Sequence, residues 1–281
     1  MWNPSMPKRL TAEQQAAYAR DGYVAPIDIF TADEIAEIRA EIEAAEATWP
    51  NALDGAGRNN GHLALPVLDR IVHDSRVLDA IEDVLGGDIL AAGSTLFIKE
   101  PQSEGFISWH QDARYAGMEP HDWVTGWVAI SNVTEENGCM YMIPGSHHAP
   151  LRDHVDTFGE DNLLTRGQEV QDVDEAAAVP LPLKPGQMSL HHPRTVHGSG
   201  ANRSGERRIG FALQSYITPR VHQVLGEMYV QSARGSEGGH SHIEAPRVAE
   251  AMSDEAVALR IDANQKLSDI LYAGADRKRD Y

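Results

Sequence analysis

The sequence predicts a mainly β protein with flanking helices, built as a double-stranded β-helix of the jelly-roll, cupin-like kind. Three observations lead there. Helix-start signals occupy the first third of the chain; five runs of strand character then fall between residues 89 and 217; and 281 residues suffice for one domain with a full core. Antiparallel strands with an inward and an outward face fit a jelly roll. The reading is one domain over 1–281, with N-terminal helices over about 11–86, a jelly-roll core over about 88–217 and a C-terminal helical extension over about 218–281.

Taken in order, Thr11-Ala12-Glu13-Gln14 and Thr31-Ala32-Asp33-Glu34 each place a hydroxyl three residues before Gln or Glu, the capping box that opens a helix. In the second helix Ile35, Ile38, Ile42 and Ala45 recur at helical spacing, an apolar stripe expected to pack on a sheet. Arg76 to Leu85 reads as a third helix, stopped by Gly86-Gly87. Strands are expected at Ile89 to Lys99, Trp123 to Val133, Cys139 to Ile143, Gln187 to His192 and Arg208 to Ile217. The acidic, aperiodic stretch from about Ala149 to Pro182 reads as a loop with a short helix or two, placed to act as a lid. Arg234 to His242 is Gly/Ser/His-rich and reads as mobile, and a last helix is expected from about Ser253 to Leu271.

Composition excludes several partners. With 24 Lys and Arg against 42 Asp and Glu, the formal charge is −18, which disfavours nucleic acid and anionic membrane surfaces. Neither a signal-like apolar stretch in Met1 to Arg9 nor a membrane-length apolar window is present, so a soluble, cytoplasmic monomer or homodimer with a small-molecule partner is expected. The single cysteine, Cys139, precludes an internal disulfide and reads as a small buried residue.

The chemistry concentrates in Trp109-His110-Gln111-Asp112, His197-Gly198-Ser199-Gly200 and Arg207-Arg208. An alternating strand would put His110 and Asp112 on one face, and His197 would supply a third metal ligand from another strand. Two histidines and a carboxylate on one octahedral face leave three positions open, as non-haem Fe(II) oxygenases require, whereas a structural zinc site closes its shell. Eleven residues after His197, Arg208 opens a strand where its planar fork can take a carboxylate; Arg207, adjacent, would face the other side.

This order of motifs resembles the phytanoyl-CoA dioxygenase family of Fe(II)- and 2-oxoglutarate-dependent oxygenases, from about Gly22 to about Tyr216; Asp21-Gly22-Tyr23-Val24 and Pro144-Gly145-Ser146-His147 also match its recurrent segments. The resemblance implies iron on His110, Asp112 and His197, with 2-oxoglutarate and dioxygen (O2) as cosubstrates. It further implies Arg208 on the C5 carboxylate, Ser199 helping to hold 2-oxoglutarate, and Lys99 and Trp127 beside it. A lysine at a strand end is equally readable as solvated, and a strand tryptophan as core. Asp112 stands where related halogenases carry Ala or Gly, so hydroxylation with release of succinate and carbon dioxide is implied rather than halogenation.

Arg114 is read as a substrate anchor if the strand continues past Asp112, and either His191 or His192 as a pocket residue, with His192 chosen. The remaining histidines read as surface residues, and Gly238-Gly239-His240-Ser241-His242 as a weak, adventitious metal site. The alternative function is a metal-binding jelly-roll sensor or sequestering protein without turnover, which would need the triad but neither Arg208 nor Ser199. The family name suggests an acyl-CoA substrate; the absence of a basic cluster favours a modest natural product or catabolic metabolite instead.

Overall fold

A computed structural model describes residues 8–235 and 239–278. The expectations for Met1 to Pro7, and for residues 236–238 within the Gly/Ser/His stretch, lie outside the described residues.

Both capping boxes form. Thr11 and Thr31 accept the backbone N–H of Gln14 and Glu34, whose side chains accept the N–H of Thr11 at 2.9 Å and of Thr31 at 2.7 Å. They open α1 (Ala12–Asp21) and α2 (Ala32–Thr48). Between them Gly22, at φ 83°, ends α1 and releases the chain into β1 (Tyr23–Asp28). Then follow α3 (Pro66–Val72) and α4 (Ser75–Leu85). Next come β2 (Ile89–Ala91), β3 (Thr95–Lys99), β4 (Ile107–His110), the one-turn α5 (Ala113–Ala116), β5 (Met118–Glu119) and β6 (Trp123–Ala129). The chain continues through β7 (Met140–Met142), β8 (His154–Asp156), β9 (Gln168–Val170), β10 (Val179–Leu181), β11 (Gln187–His191), β12 (His197–Ser199) and β13 (Arg208–Ile217). It closes with β14 (His222–Gln223), β15 (Tyr229–Arg234), β16 (Ile243–Glu244) and α6 (Asp254–Leu271), whose N-cap is Ser253.

Two sheets make the jelly roll without closing into a barrel. The larger runs β1-β11-β6-β13-β2-β15-β16 with β3 also on β13; the smaller runs β10-β7-β12-β4. Period-two alternation divides their side chains. Val128, Leu190 and Phe211 of the larger sheet share a buried cluster with Ile42, Leu68 and Ile81 of the helices. Trp127, Ala129 and Ala212, on the other face, pack with Met140, Met142 and Leu181 of the smaller sheet. Cys139 is buried there. Ile35, Ile42 and Ala45 of the expected stripe are buried and Ile38 packs at their side.

Several expectations change. The single run from Ile89 to Lys99 breaks into β2 and β3, because the two pieces pair with opposite ends of the ten-residue β13. The N-terminal segment is not purely helical, since β1 pairs with β11. Nor is the C-terminal extension, since β15 adds to β2 in the larger sheet. The 149–182 stretch contains the hairpin β8–β9, the strand β10 and a 3-10 turn at Glu175–Ala177. Strands of three residues are too short to show a readable period. The segments around Gly22 and Gly145 dock on one another: Gly145 N–H donates to Asp21 O at 2.8 Å, and a Cβ on Gly22 would stand 2.4 Å from Nδ1 of His147. His147 is therefore buried, not a surface residue. No helix among the described residues is long and apolar enough to cross a membrane.

Candidate metal centre and its cavity

His110 and His197 are direct register partners on the antiparallel pair β4–β12, which sets their rings 4.1 Å apart, centroid to centroid. Asp112 reaches them differently from the expectation. The strand stops at His110, and Asp112 adopts helical angles (φ −55°, ψ −36°) at the start of α5, so a turn rather than alternation brings its carboxylate back. Nε2 of His110 and of His197 lie 3.3 and 3.7 Å from Oδ1 of Asp112, and one ligand atom from each of the three residues lies within 4.8 Å of the others. Cis ligands with bonds near 2.1 Å stand about 3 Å apart, so the three atoms need only a small contraction to share one ion.

Hydrogen bonds fix the ligand atoms. Nδ1 of His110 lies 2.9 Å from Ser108 O and Nδ1 of His197 lies 3.0 Å from Thr195 O. Donation to a carbonyl puts the proton on Nδ1 and leaves each Nε2 lone pair facing the centre. Burial holds His197 neutral, well below the usual imidazole range. Oδ2 of Asp112 accepts from Thr125 Oγ1 at 2.9 Å and from His191 Nε2 at 3.1 Å, leaving Oδ1 on the histidine side. Although burial alone would raise the Asp112 carboxyl, the imidazoles around it outweigh that and hold it well below the usual range.

The residues expected around a carboxylate also come together. Arg208 is 1% exposed, with Nη2 donating to Gly138 O at 2.6 Å, its guanidinium 5.2 Å from the Trp127 ring centroid and its Nε without a partner. No acid among the described residues pairs with it, and burial pushes its pKa down to about 10. Lys99, its register partner on β3, is equally buried; Nζ donates to Ser199 Oγ at 2.8 Å and to Gly200 O. Burial, then the Arg208 charge, lowers Lys99 to about 6. Lys99 is thus not solvated, and it stands behind Ser199 rather than on the cavity wall. Arg207 points away into Glu46 and Glu100. Trp127 stands over Gly210, where a Cβ would come within 1.7 Å of its Cζ2.

One cavity of about 540 Å³ joins the triad, Ser199, Arg208 and Trp127 to Trp123, Leu96 and the inner side of α6. Two expected residues are not on it. Arg114 rides α5, half exposed, with Nη2 3.4 Å from the exposed Asp153, because the strand it was assigned to has already ended. His192 turns away to the His147 ring, 5.3 Å centroid to centroid, and its Nδ1 accepts from Arg194 N–H. His191 takes the inward place. It is the register partner of Thr125, and Met188 and Leu190, buried against the helices, mark the opposite face of β11. That alternation was readable in the sequence and selects His191 over His192. Thr125 had no local signal.

The family model described as phytanoyl-CoA dioxygenase matches residues 18–210. A relative from Stutzerimonas stutzeri, named a probable alpha-ketoglutarate-dependent hypophosphite dioxygenase, is 29% identical over 237 residues, 76% of this chain and 81% of its own. The peroxisomal phytanoyl-CoA dioxygenase of Homo sapiens is 31% identical over 133 residues, 46% of this chain and only 39% of that protein. Among solved structures, the non-heme monooxygenase ThoJ in its apo form superposes with a TM-score of 0.83 at 30% identity, over 94% of this chain and 100% of that one. EctD from S. alaskensis, solved with 2-oxoglutarate and 5-hydroxyectoine, gives 0.63 at 27% identity over 78% of this chain and 79% of its own.

Proposed function

Since the chain belongs to the phytanoyl-CoA dioxygenase family, we propose that it is an Fe(II)- and 2-oxoglutarate-dependent dioxygenase that hydroxylates an unactivated C–H bond of a small molecule, with release of succinate and carbon dioxide. One observation supports this reading above the rest: a buried guanidinium without an acid partner opens onto the same cavity as a three-ligand metal face. A buried cation is costly unless an anion completes it. The far carboxylate of 2-oxoglutarate is that anion, and the sensor alternative has no use for it.

His110, Asp112 and His197 would hold the iron, and three positions would stay open. Bound iron, with 2-oxoglutarate and dioxygen, supplies the oxidising power for C–H cleavage. The residues of the chain do the rest. Arg208 pairs with the C5 carboxylate, with Trp127 against its flat face; Lys99 fixes the Ser199 hydroxyl that contributes a further hydrogen bond. Thr125 and His191 hold Oδ2 of Asp112 so that Oδ1 keeps its aim. The apolar walls at Leu96 and Trp123 keep water from the reacting carbon. Because a carboxylate occupies position 112, no ligand position is vacated for a halide.

Succinate release from 2-oxoglutarate under Fe(II) and oxygen, with and without candidate substrates, tests the reading, and His110→Ala should abolish it. Succinate release by His110→Ala at the level of the unaltered protein would sink the assignment. Metal binding without succinate from any substrate would leave the sensor or sequestering role.

A further inference from the structure

One cavity-lining cation remains unused. The charged side chains on the wall are Asp54, Arg58, Asp112, Glu160 and Arg208; Asp112 belongs to the triad and Arg208 to the cosubstrate. Asp54 and Glu160 are exposed, and the Asp54 carboxylate accepts the Gly55 N–H at 2.8 Å. Arg58, half-buried, is what remains. From its place on this wall we propose that Arg58 selects the substrate, binding a single anionic group, a carboxylate or a phosphate, on a small molecule with an apolar body. The inference rests on the oxygenase reading of the same cavity.

The chain supplies acids freely to its other arginines. With 42 acidic residues and a charge of −18, Arg76, Arg207 and Arg234 each hold two carboxylates. Arg58 pairs with none among the described residues. Its Nε donates to Leu53 O at 3.1 Å, which orients the planar fork and leaves both terminal nitrogens for a ligand. An anion approaching so acidic a protein gains nothing from the overall field, and fixed local donors must hold it.

The support for Arg58 is rigid. It ends the 3-10 turn Gly55–Arg58, which α6 clamps: Arg260 Nη1 donates to Ala52 O at 2.8 Å and Asn264 Nδ2 to Ala56 O at 2.9 Å. Asn264 also accepts from Asn60 Nδ2 at 3.0 Å, and Asn59 accepts from Thr95 Oγ1 at 2.8 Å. A side chain on so fixed a turn loses little freedom when it binds.

Position separates this cation from the cosubstrate. Asn59 bridges to Thr95, the first residue of β3, whereas Lys99 beside Arg208 is the last, about 13 Å along the strand at the usual rise. The cavity is of the size that takes a small molecule, and one guanidinium cannot satisfy the several phosphates of a coenzyme A. Leu96, Trp123 and Leu267 offer the body apolar contact, while the amide of Gln214, on the same wall, adds a neutral polar one.

The test uses full-length protein loaded with Ni(II) and 2-oxoglutarate, so that binding is read without turnover. Octanoate is titrated calorimetrically against octanamide, 3-phenylpropanoate against 3-phenylpropanamide, and octyl phosphate against octanoate. An acid should bind roughly tenfold or more tightly than its amide, the scale of a charge-assisted hydrogen bond, and the last pair reports which oxyanion is preferred. Arg58→Gln should remove the preference, Arg58→Lys should keep part of it, and Arg114→Gln, outside the cavity, should leave it intact. Equal binding of every acid and its amide, or an undiminished preference in Arg58→Gln, overturns the proposal. Acid preference that needs Arg58 in a protein that forms no succinate with Fe(II) would instead overturn the oxygenase reading and leave the anion site standing.

Discussion

Replacing Arg208 should separate stability from cosubstrate binding. In the ligand-free protein its guanidinium is buried without an acid, and the fall of its pKa from 12.5 to about 10 corresponds to a burden on the order of 3 kcal/mol at most. Arg208→Met, which keeps most of the volume, should therefore leave the ligand-free protein at least as stable as the original. With 2-oxoglutarate the order reverses. At a concentration one hundred times Kd, binding adds about 2.7 kcal/mol to the unaltered protein, a rise in Tm of roughly 5 °C for a domain of this size. Arg208→Lys forfeits the bidentate fork. A loss of about 2 kcal/mol weakens binding ~30-fold and cuts the rise to roughly 2 °C at the same concentration. The assay is thermal unfolding of Ni(II)-loaded protein across a 2-oxoglutarate series, with Arg207→Lys as control because Arg207 lies in a surface network with Glu46 and Glu100. A full thermal response in Arg208→Lys, or an equal loss in Arg207→Lys, refutes the assignment.

Three further outcomes are expected. In labelled dioxygen and bromide buffer, the product should carry labelled oxygen, diluted at most by exchange with water, and no bromine; mass spectrometry of a brominated product from the unaltered protein would show that Asp112 does not exclude halide. Removing the donors to Oδ2 of Asp112, as His191→Phe or Thr125→Val, should weaken Co(II) binding by about 10–100-fold with the fold retained by circular dichroism, and an unchanged binding isotherm would count against a positioning role. Lys99, lowered from 10.5 to about 6, sheds its proton on folding, so between those values the unfolded chain binds the extra proton and stability rises with pH, by up to about 1.4 kcal/mol per pH unit. Lys99→Met should flatten that slope in urea titrations at pH 6.5 and 8.5, and an unaltered slope would mean the group is not buried as described.

What the sequence disclosed, it disclosed through local chemistry. A capping box is four residues long and its hydrogen bonds close within them, so Thr11 and Thr31 announced helices without reference to the rest of the chain. That His110, Asp112 and His197 would come together, with Arg208 on the same cavity, was legible because metal and carboxylate chemistry restricts the residue types a reader looks for. The reason offered for Asp112 was wrong in detail, since alternation ends at His110 and a turn does the work. Arg114 failed for the same cause. His191 could be picked out by the alternation of its own strand, whereas Thr125 and Arg58 take their places from strand register and from a turn held by a helix about 200 positions away, and pairing between distant segments leaves no mark at either one.

The last helix is a wall of the cavity, and that fixes an order of events during synthesis. His110, Asp112, His197 and Arg208 have all been translated once residue 208 is added; the wall that carries Leu267 and clamps the Arg58 turn follows only from Asp254. At ~5–20 residues per second, the interval is roughly 2–9 s. For that interval the residues of the triad exist in the chain before the α6 side of the chamber does, so α6 can complete the cavity only after the rest of its wall has been made.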